Sequence, residues 1–346
     1  MRHSSILVGC GISLFLFQTF AGTPDSYMGD WKGTLEINGK SQSVAIYMIP
    51  YGNGWYEMKI VSAFNQRVPT LFHLRGQIQD KTARFVDLIP FDPTHVIGTT
   101  DQGVVVDASL WEGKVFPTNP LSLRGTIAGR VDGQFRIEKF RRVSPTLGAK
   151  PPPNAIVLFD GTNLNEWEQA KQPGKKPNWK ILPGGILEVG KGNIRTKRTF
   201  RDFVLHLEFR TPYMPFARGQ ARGNSGVYLQ GRYEVQILDS YGLVGEDNEC
   251  GGIYHVARPR VNMCFPPLQW QTYDITFRAA RFDRSGKKIA NARVTVLHNG
   301  VVIHENLELP GPTPGGLDRN EALPGPILLQ DHGNPVQFRN IWIIEK

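Results

Sequence analysis

Residues 223–239 leave this chain little freedom. They read Gly-Asn-Ser-Gly-Val-Tyr-Leu, then Gln230-Gly231-Arg232, then Tyr-Glu-Val-Gln-Ile-Leu-Asp, which is two short alternating runs about a turn. Period-two alternation sends Val235 and Ile237 into a core and Glu234 and Gln236 to the opposite face. A Glu and a Gln two apart on a strand lie roughly 6.5–7 Å apart, a spacing suited to gripping or deprotonating a polyol. The other reading of that face is a solvated sheet surface. Similar runs, punctuated by Gly, Pro, Asn and Asp, recur along the chain while few windows show a helical period, so the expected fold class is all-β.

At 346 residues the chain has room for two domains, each with its own core. The segment 144–153, Ser-Pro-Thr-Leu-Gly-Ala-Lys-Pro-Pro-Pro, lacks periodicity and reads as a stiff polyproline II linker between them. Residues 27–143 form a small all-β unit of hairpin-linked strands, either a barrel or a curled sheet. Its opening Gly29-Asp30-Trp31 resembles that of a lipocalin-like barrel, with Trp31 closing the core. No catalytic constellation appears there, which leaves binding, docking or shielding. Residues 154–346 carry strands near 203–210, 225–230, 233–238, 272–278, 292–298, 301–305, 327–331 and 338–345, with a hairpin at Asn299-Gly300. These make two antiparallel sheets, and the Pro- and Gly-rich stretch 310–326 is long enough to form a rim or lid.

The first 21 residues read as a secretory signal: Arg2 and His3, an apolar run from Ile6 to Phe17, and Thr19-Phe20-Ala21 as the cleavage pattern. About a dozen apolar residues fall short of the ~20 that span a bilayer, so stable membrane insertion is not expected. Leu7-Val8-Gly9-Cys10 resembles a lipoprotein acceptor box, but Cys10 precedes most of the apolar run. An exported protein, periplasmic or extracellular, follows. Cleavage after Ala21 leaves Cys250 and Cys264, either two buried thiols or a disulfide worth roughly 3 kcal/mol for a loop of about 15 residues. The net charge of +9 is scattered, without a basic helix or aromatic nucleic-acid module, so nucleic acid is not an expected partner. Anionic polysaccharide suits the charge better. There is no Cys-x-x-Cys or His-Glu-x-x-His spacing for zinc, and no nucleotide cofactor is expected. The sequence leaves the oligomeric state open.

Several motifs follow one another in fixed order over residues 154–346. They are Leu158-Phe159-Asp160-Gly161-Thr162-Asn163-Leu164-Asn165-Glu166-Trp167, Trp179 to Glu188, Phe203 to Arg210, the 223–239 hairpin, Gly325 to Gly333, and Phe338-Arg339-Asn340-Ile341. Together they resemble the 3-keto-disaccharide hydrolase family, also described as 3-keto-glucoside 1,2-lyase and 3-keto-2-hydroxy-glucal hydratase. The resemblance implies a concanavalin-like β-sandwich, a jelly roll, with one sheet curved around a carbohydrate groove. It implies a secreted enzyme that cleaves 3-keto-glycosides by β-elimination and hydration, a net hydrolysis.

That chemistry needs a base for the C2 proton, which the C3 ketone acidifies, and an acid for the departing oxygen on C1. Glu234, His332 and Glu208 are the catalytic candidates. On 203–210, alternation buries Phe203, Leu205, Leu207 and Phe209 and projects His206, Glu208 and Arg210 the other way; if that face is concave, Glu208 joins Glu234 and Gln236. Gln330-Asp331-His332-Gly333 sits where a strand runs into a turn. There His332 can exchange a proton, with Asp331 or Gln330 orienting it, unless Asp331 merely ties an Asx turn. Candidate substrate-binding residues are Gln236, Asn224, Gln330, Asp331, Arg339, His255 and Trp270. Arg339 shares the parity of Ile341 and Ile343, which would instead make it a structural ion partner. A divalent ion would serve the enediolate, and Glu234, Gln236 and His332 offer the ligand types, although their spacing shows no metal.

Two rivals remain. A non-catalytic carbohydrate-binding β-sandwich requires an aromatic platform, for which Trp270, Tyr273 and Tyr228 are available. A direct glycoside hydrolase would use Glu208 and Glu234, about 5–5.5 Å apart for retention or 6.5–9.5 Å for inversion.

Overall fold

The computed structural model describes residues 25–87, 96–100, 103–106 and 108–346; the expected signal segment 1–21, with Cys10, lies outside the described residues. The first ten strands are β1 (Gly29–Ile37), β2 (Lys40–Gly52), β3 (Trp55–Val61), β4 (Thr70–Gln79), β5 (Thr82–Asp87), β6 (Val96–Thr100), β7 (Gly103–Val106), β8 (Ser109–Phe116), β9 (Ser122–Gly129) and β10 (Gly133–Lys139). Of these, eight close into a barrel in the order β1-β10-β9-β8-β5-β4-β3-β2, while β6 and β7 pair as a separate hairpin. Closure pairs every edge, which a curled sheet would not. Inward-facing Trp31, Ile46, Met58, Leu74, Phe85 and Trp111 belong to one packed cluster, so Trp31 is the core residue its position suggested.

The remaining strands are β11 (Ile156–Phe159), β12 (Trp167–Gln169), β13 (Lys180–Leu182), β14 (Ile186–Glu188), β15 (Ile194–Thr196), β16 (Phe203–Arg210), β17 (Ser225–Leu229), β18 (Tyr233–Ile237), β19 (Gln271–Arg278), β20 (Arg281–Phe282), β21 (Lys288–Ala290), β22 (Ala292–His298), β23 (Val301–Leu309), β24 (Leu328–Leu329) and β25 (Gln337–Glu345). One sheet runs β13-β14-β25-β16-β19-β22-β23, with β11 on β25; a five-stranded sheet runs β12-β15-β24-β17-β18. The two share one core, in which Phe203, Leu205, Leu207 and Phe209 meet Val227, Leu229, Val235 and Ile237. Phe203, Leu205, Leu207, Phe209, Val235 and Ile237 are the inward set that alternation picked out. Asn299 and Gly300, at φ 52° and 77°, form the expected tight turn between β22 and β23.

Strand β25 departs from simple alternation. Its register against β16 shifts between His206 and Glu208, and Asn340 takes φ 47°, a β-bulge. Phe338 and Ile341 therefore both reach the core although they are three apart. Arg339 and Asn340 both turn to the far side of the sheet, where they meet Glu208.

The stretch 144–153 is not a free spacer. Ser144 Oγ lies 2.7 Å from Thr272 Oγ1, Thr146 Oγ1 donates to Asp274 Oδ2 at 2.7 Å, and Gly148 N donates to Glu208 Oε1 at 2.6 Å. Its missing periodicity reflects hydrogen bonding to the outer face of the larger sheet. Just before it, the Arg142 guanidinium grips Asp30 through two bonds of 2.8 and 3.0 Å, and Tyr241 Oη donates to the same carboxylate at 2.8 Å. Both members of that buried ion pair precede the 144–153 stretch, and the Tyr241 hydrogen bond is what ties it, and with it the barrel, to the two-sheet unit. Cys250 and Cys264 are free buried thiols, so of the two alternatives the disulfide is not formed. Among the described residues no helix is long and apolar enough to cross a membrane.

Candidate active site

The turn Gln230-Gly231-Arg232 folds β17 onto β18, with Gln230 and Gly231 at φ 53° and 65°. Its length sets the register, placing Tyr228 opposite Glu234 and Gly226 opposite Gln236. On the other flank β24 pairs with β17, and Gln330 N donates to Gly226 O at 3.0 Å. Tyr228, Glu234, Gln236 and Gln330 thus share the face turned away from the core. With Asn224, Gln220, Tyr254, Pro314, Gly315 and His332 they line a cleft of about 190 Å³.

Glu234 is the buried centre of this cleft, at 2% exposure. Tyr228 Oη donates to its Oε2 at 2.7 Å, and Gln330 Nε2 donates to the same phenol at 3.2 Å. A Cβ on Gly226 would collide with the Glu234 carboxylate, so glycine is what leaves it room. Burial pushes the Glu234 carboxyl up to about 7, with the Tyr228 hydrogen bond pulling the other way. Among the described residues no cation pairs with it.

Three carboxamides surround it in one consistent orientation. Asn224 Nδ2 is spent on Gln220 O at 2.8 Å, Gln236 Nε2 on Gln220 Oε1 at 3.3 Å, and Gln330 Nε2 on Tyr228. Their carbonyl oxygens, Asn224 Oδ1, Gln236 Oε1 and Gln330 Oε1, are buried without partners. Each orphaned acceptor costs about 1–3 kcal/mol, a penalty that hydroxyl donors of a bound sugar would relieve. The stretch 310–326 is the expected rim. Thr313 Oγ1 accepts from Glu234 N at 2.9 Å, Leu317 N donates to Gly231 O at 2.7 Å, and Asp318 pairs with Arg232 at 2.7 Å. His332 stands exposed at the mouth, and Tyr254 forms a wall with His255 packed edge-on at 4.3 Å.

Other candidates lie elsewhere. Glu208 does project away from the core, as alternation required, but from the larger sheet, whose far face is covered by 144–149. There it accepts from Arg339 Nε at 2.6 Å, Asn340 Nδ2 at 2.9 Å and Gly148 N. Burial would raise its pKa, yet the His206 imidazole 3.9 Å away and hydrogen bonds from Asn340, Gly148 and Arg339 together hold it down at about 2. The pairing of Glu208 with Glu234 is therefore corrected: the two carboxylates serve different sheets. Arg339 is the ion partner of Glu208, and Trp270 lies between Arg339 and Arg210 at 4.2 and 4.7 Å. Tyr273 is in the core. The aromatic platform of Trp270, Tyr273 and Tyr228 is consequently not assembled. Asp331 ties its own turn, accepting from Gly333 N and Gly192 N at 2.8 Å each, and makes no bond to His332.

The expected divalent metal on Glu234, Gln236 and His332 is also corrected. Among the described residues no group of three or more His, Cys, Asp and Glu side chains is gathered to hold an ion. The cleft offers one carboxylate and one imidazole; its other polar groups are amides and phenols. Sequence reasoning overlooked Tyr228 as the partner of Glu234, although a three-residue turn at 230–232 pairs 228 with 234. Gln220 and Tyr254 arrive on loops that carry no periodic signal.

Residues 154–344 match the family model of the 3-keto-alpha-glucoside-1,2-lyase-like domain. Among solved structures, a protein described as a glycosyl hydrolase from Parabacteroides distasonis ATCC 8503 is 39% identical at TM-score 0.51, over 56% of this chain and 85% of that one. A second so described, from the same organism, is 17% identical at TM-score 0.43, over 56% and 94%. No curated protein matches. The chain is a carbohydrate-active enzyme. It belongs to the 3-keto-disaccharide hydrolase and lyase family.

Proposed function

We propose that the enzyme cleaves 3-keto-glycosides by β-elimination and rehydration, with Glu234 transferring the C2 proton. The observation that supports this most is the burial of Glu234 without a cation, which brings its carboxyl to about 7. A carboxylate in that range takes a carbon-bound proton near neutral pH and returns it afterwards. Glu234 removes the proton from C2, the C1–O bond breaks, and the aglycone leaves on an oxygen that must gain a proton. His332, at the mouth where an aglycone would exit, is placed to supply it. Water then adds at C1 and C2 recovers its proton, so the two steps sum to hydrolysis. The orphaned carbonyls of Asn224, Gln236 and Gln330 suit the hydroxyls of the oxidised ring.

A concanavalin-like jelly roll is the fold reading that fits two antiparallel sheets over a common core. The division into a barrel over 27–143, a linker over 144–153 and a catalytic unit over 154–346 goes with it. The pattern of Arg2-His3, the apolar run and Thr19-Phe20-Ala21 supports export to the periplasm or beyond.

The deciding experiment incubates the protein with 3-keto-glycosides and their unoxidised parents in deuterated water. Aglycone release from the ketones alone, with deuterium at C2, is expected. Cleavage of the parents with no deuterium at C2 would replace elimination by direct displacement at C1.

A further inference from the structure

We propose that the amino-terminal barrel positions the substrate-binding wall of the cleft, acting through Arg218 and the segment 213–224. This segment is pinned to the barrel at one end and enters the cleft at the other. Tyr213 Oη donates to Asp25 Oδ2 at 3.1 Å, and the Phe216 ring lies against Gly52, where any side chain would displace it. The Arg218 guanidinium sits 3.6 Å from the centroid of the Tyr51 ring, with two of its bonds, 2.5 and 2.6 Å, closing onto Pro215 O and Ala217 O. Tyr51 is itself anchored: its hydroxyl donates to Glu57, a buried carboxylate that also holds His73 on the neighbouring strand.

Arg218 is also the residue from which the 3-10 turn Gly219–Ala221 starts. That turn carries Gln220, whose backbone and side-chain oxygens take the amide protons of Asn224 and Gln236. Because those protons are taken, the buried carbonyls of Asn224 and Gln236 are left without a partner beside the cleft that both residues line. The barrel therefore fixes Arg218, Arg218 fixes Gln220, and Gln220 orients two of the three acceptors. Arg222 and Gln220 have further partners within the two-sheet unit, to Asp239 at 2.5 Å and Asn248 O at 2.7 Å, so loosening the barrel contact tilts the wall without unfolding it.

The kinetic test rests on the elimination reading, and a second readout does not. Arg218→Ala should raise KM for a 3-keto-glycoside by about tenfold, the loss of roughly one hydrogen bond, with kcat within about twofold because Glu234 is untouched. Arg218→Lys, which keeps the charge but not the planar stack, should fall between. The control is Arg67→Ala. Arg67 joins the barrel to the other unit through Gly245 O, Pro259 O and Arg260 O at 2.8, 3.0 and 3.2 Å, remote from this segment, and its loss should leave KM unchanged. Independently of turnover, the side-chain amide resonances of Gln220 and Gln236 should shift in Arg218→Ala and not in Arg67→Ala. Unchanged resonances in Arg218→Ala, or equal shifts in Arg67→Ala, would overturn the inference. A wild type inert on every 3-keto-glycoside would count against the elimination reading alone.

Discussion

Glu208 and Glu234 are both strand glutamates, both buried and both turned away from the shared core, yet their carboxyls are driven in opposite directions. Around Glu208, on the larger sheet, stand Arg339, Asn340, His206 and the backbone of Gly148, and the carboxylate is held down at about 2. Around Glu234, on the five-stranded sheet, a single phenol donates, and burial lifts the carboxyl to about 7. Burial is common to the two; the supply of donors is what differs. A fully satisfied carboxylate fastens parts of the protein together, here the 144–149 stretch to β16 and β25. One left half-satisfied is poised to exchange a proton.

The sharpest way to break this contrast is turnover. Glu234→Gln should lower kcat on a 3-keto-glycoside by about 10²- to 10⁴-fold, the usual span for a lost acid or base, while folded Glu208→Gln should stay within about threefold of wild type. A comparable loss in both would mean that Glu208 acts in the reaction after all.

Stability should show the opposite asymmetry. Glu208 falls from an ordinary 4.5 to about 2 on folding, so its ionised form stabilises the native state above 4.5, and that contribution is lost as pH drops towards 2. At pH 7, Glu208→Ala should cost about 1–3 kcal/mol, because the Gly148 and Asn340 donors lose their buried acceptor while Arg339, partly exposed, is taken up by water. Glu234 rises from 4.5 to about 7, so its folded form favours the proton: the contribution is complete below 4.5 and is lost as pH climbs through 7. Glu234→Gln, neutral at every pH, should therefore unfold later than wild type in urea at pH 8 and show no such gain at pH 4. A gain that persisted at pH 4 would trace to packing instead of charge.

Much of this contrast was legible in residue spacing. The parity of β16 and β18 chose the inward and outward sets correctly, and the turn at 230–232 fixed the hairpin that carries Glu234. Alternation, however, says which residues share a face and is silent on what covers it. Glu208 was misplaced for that reason, since the cover is a stretch of prolines and small polar residues that reads as a spacer. Arg339 has the ion-partner role that its parity offered, but the side of the sheet on which it emerges was obscured by a one-residue bulge at Asn340, which breaks period two without any glycine or proline to announce it. Gln220 and the rim at Pro314-Gly315 reach the cleft through loops, whose path depends on tertiary contacts with the barrel and the hairpin.

The smallest expected effect isolates the one hydrogen bond on which Glu234 depends. Tyr228→Phe keeps the ring against Leu328 and Ala170 and removes only the hydroxyl. Without that donor nothing opposes burial, so the Glu234 carboxyl rises further and a smaller fraction of it is ionised at pH 7. In the free enzyme the basic carboxylate is the active form, so the rising limb of kcat/KM against pH should move to higher pH. At pH 7 the rate should fall by about two- to tenfold, and by pH 9 it should return towards that of wild type, because the altered group is again ionised. A deficit that stayed constant across the profile would assign Tyr228 a proton-donating part of its own. An unmoved limb would mean that the group titrating in the reaction is not Glu234.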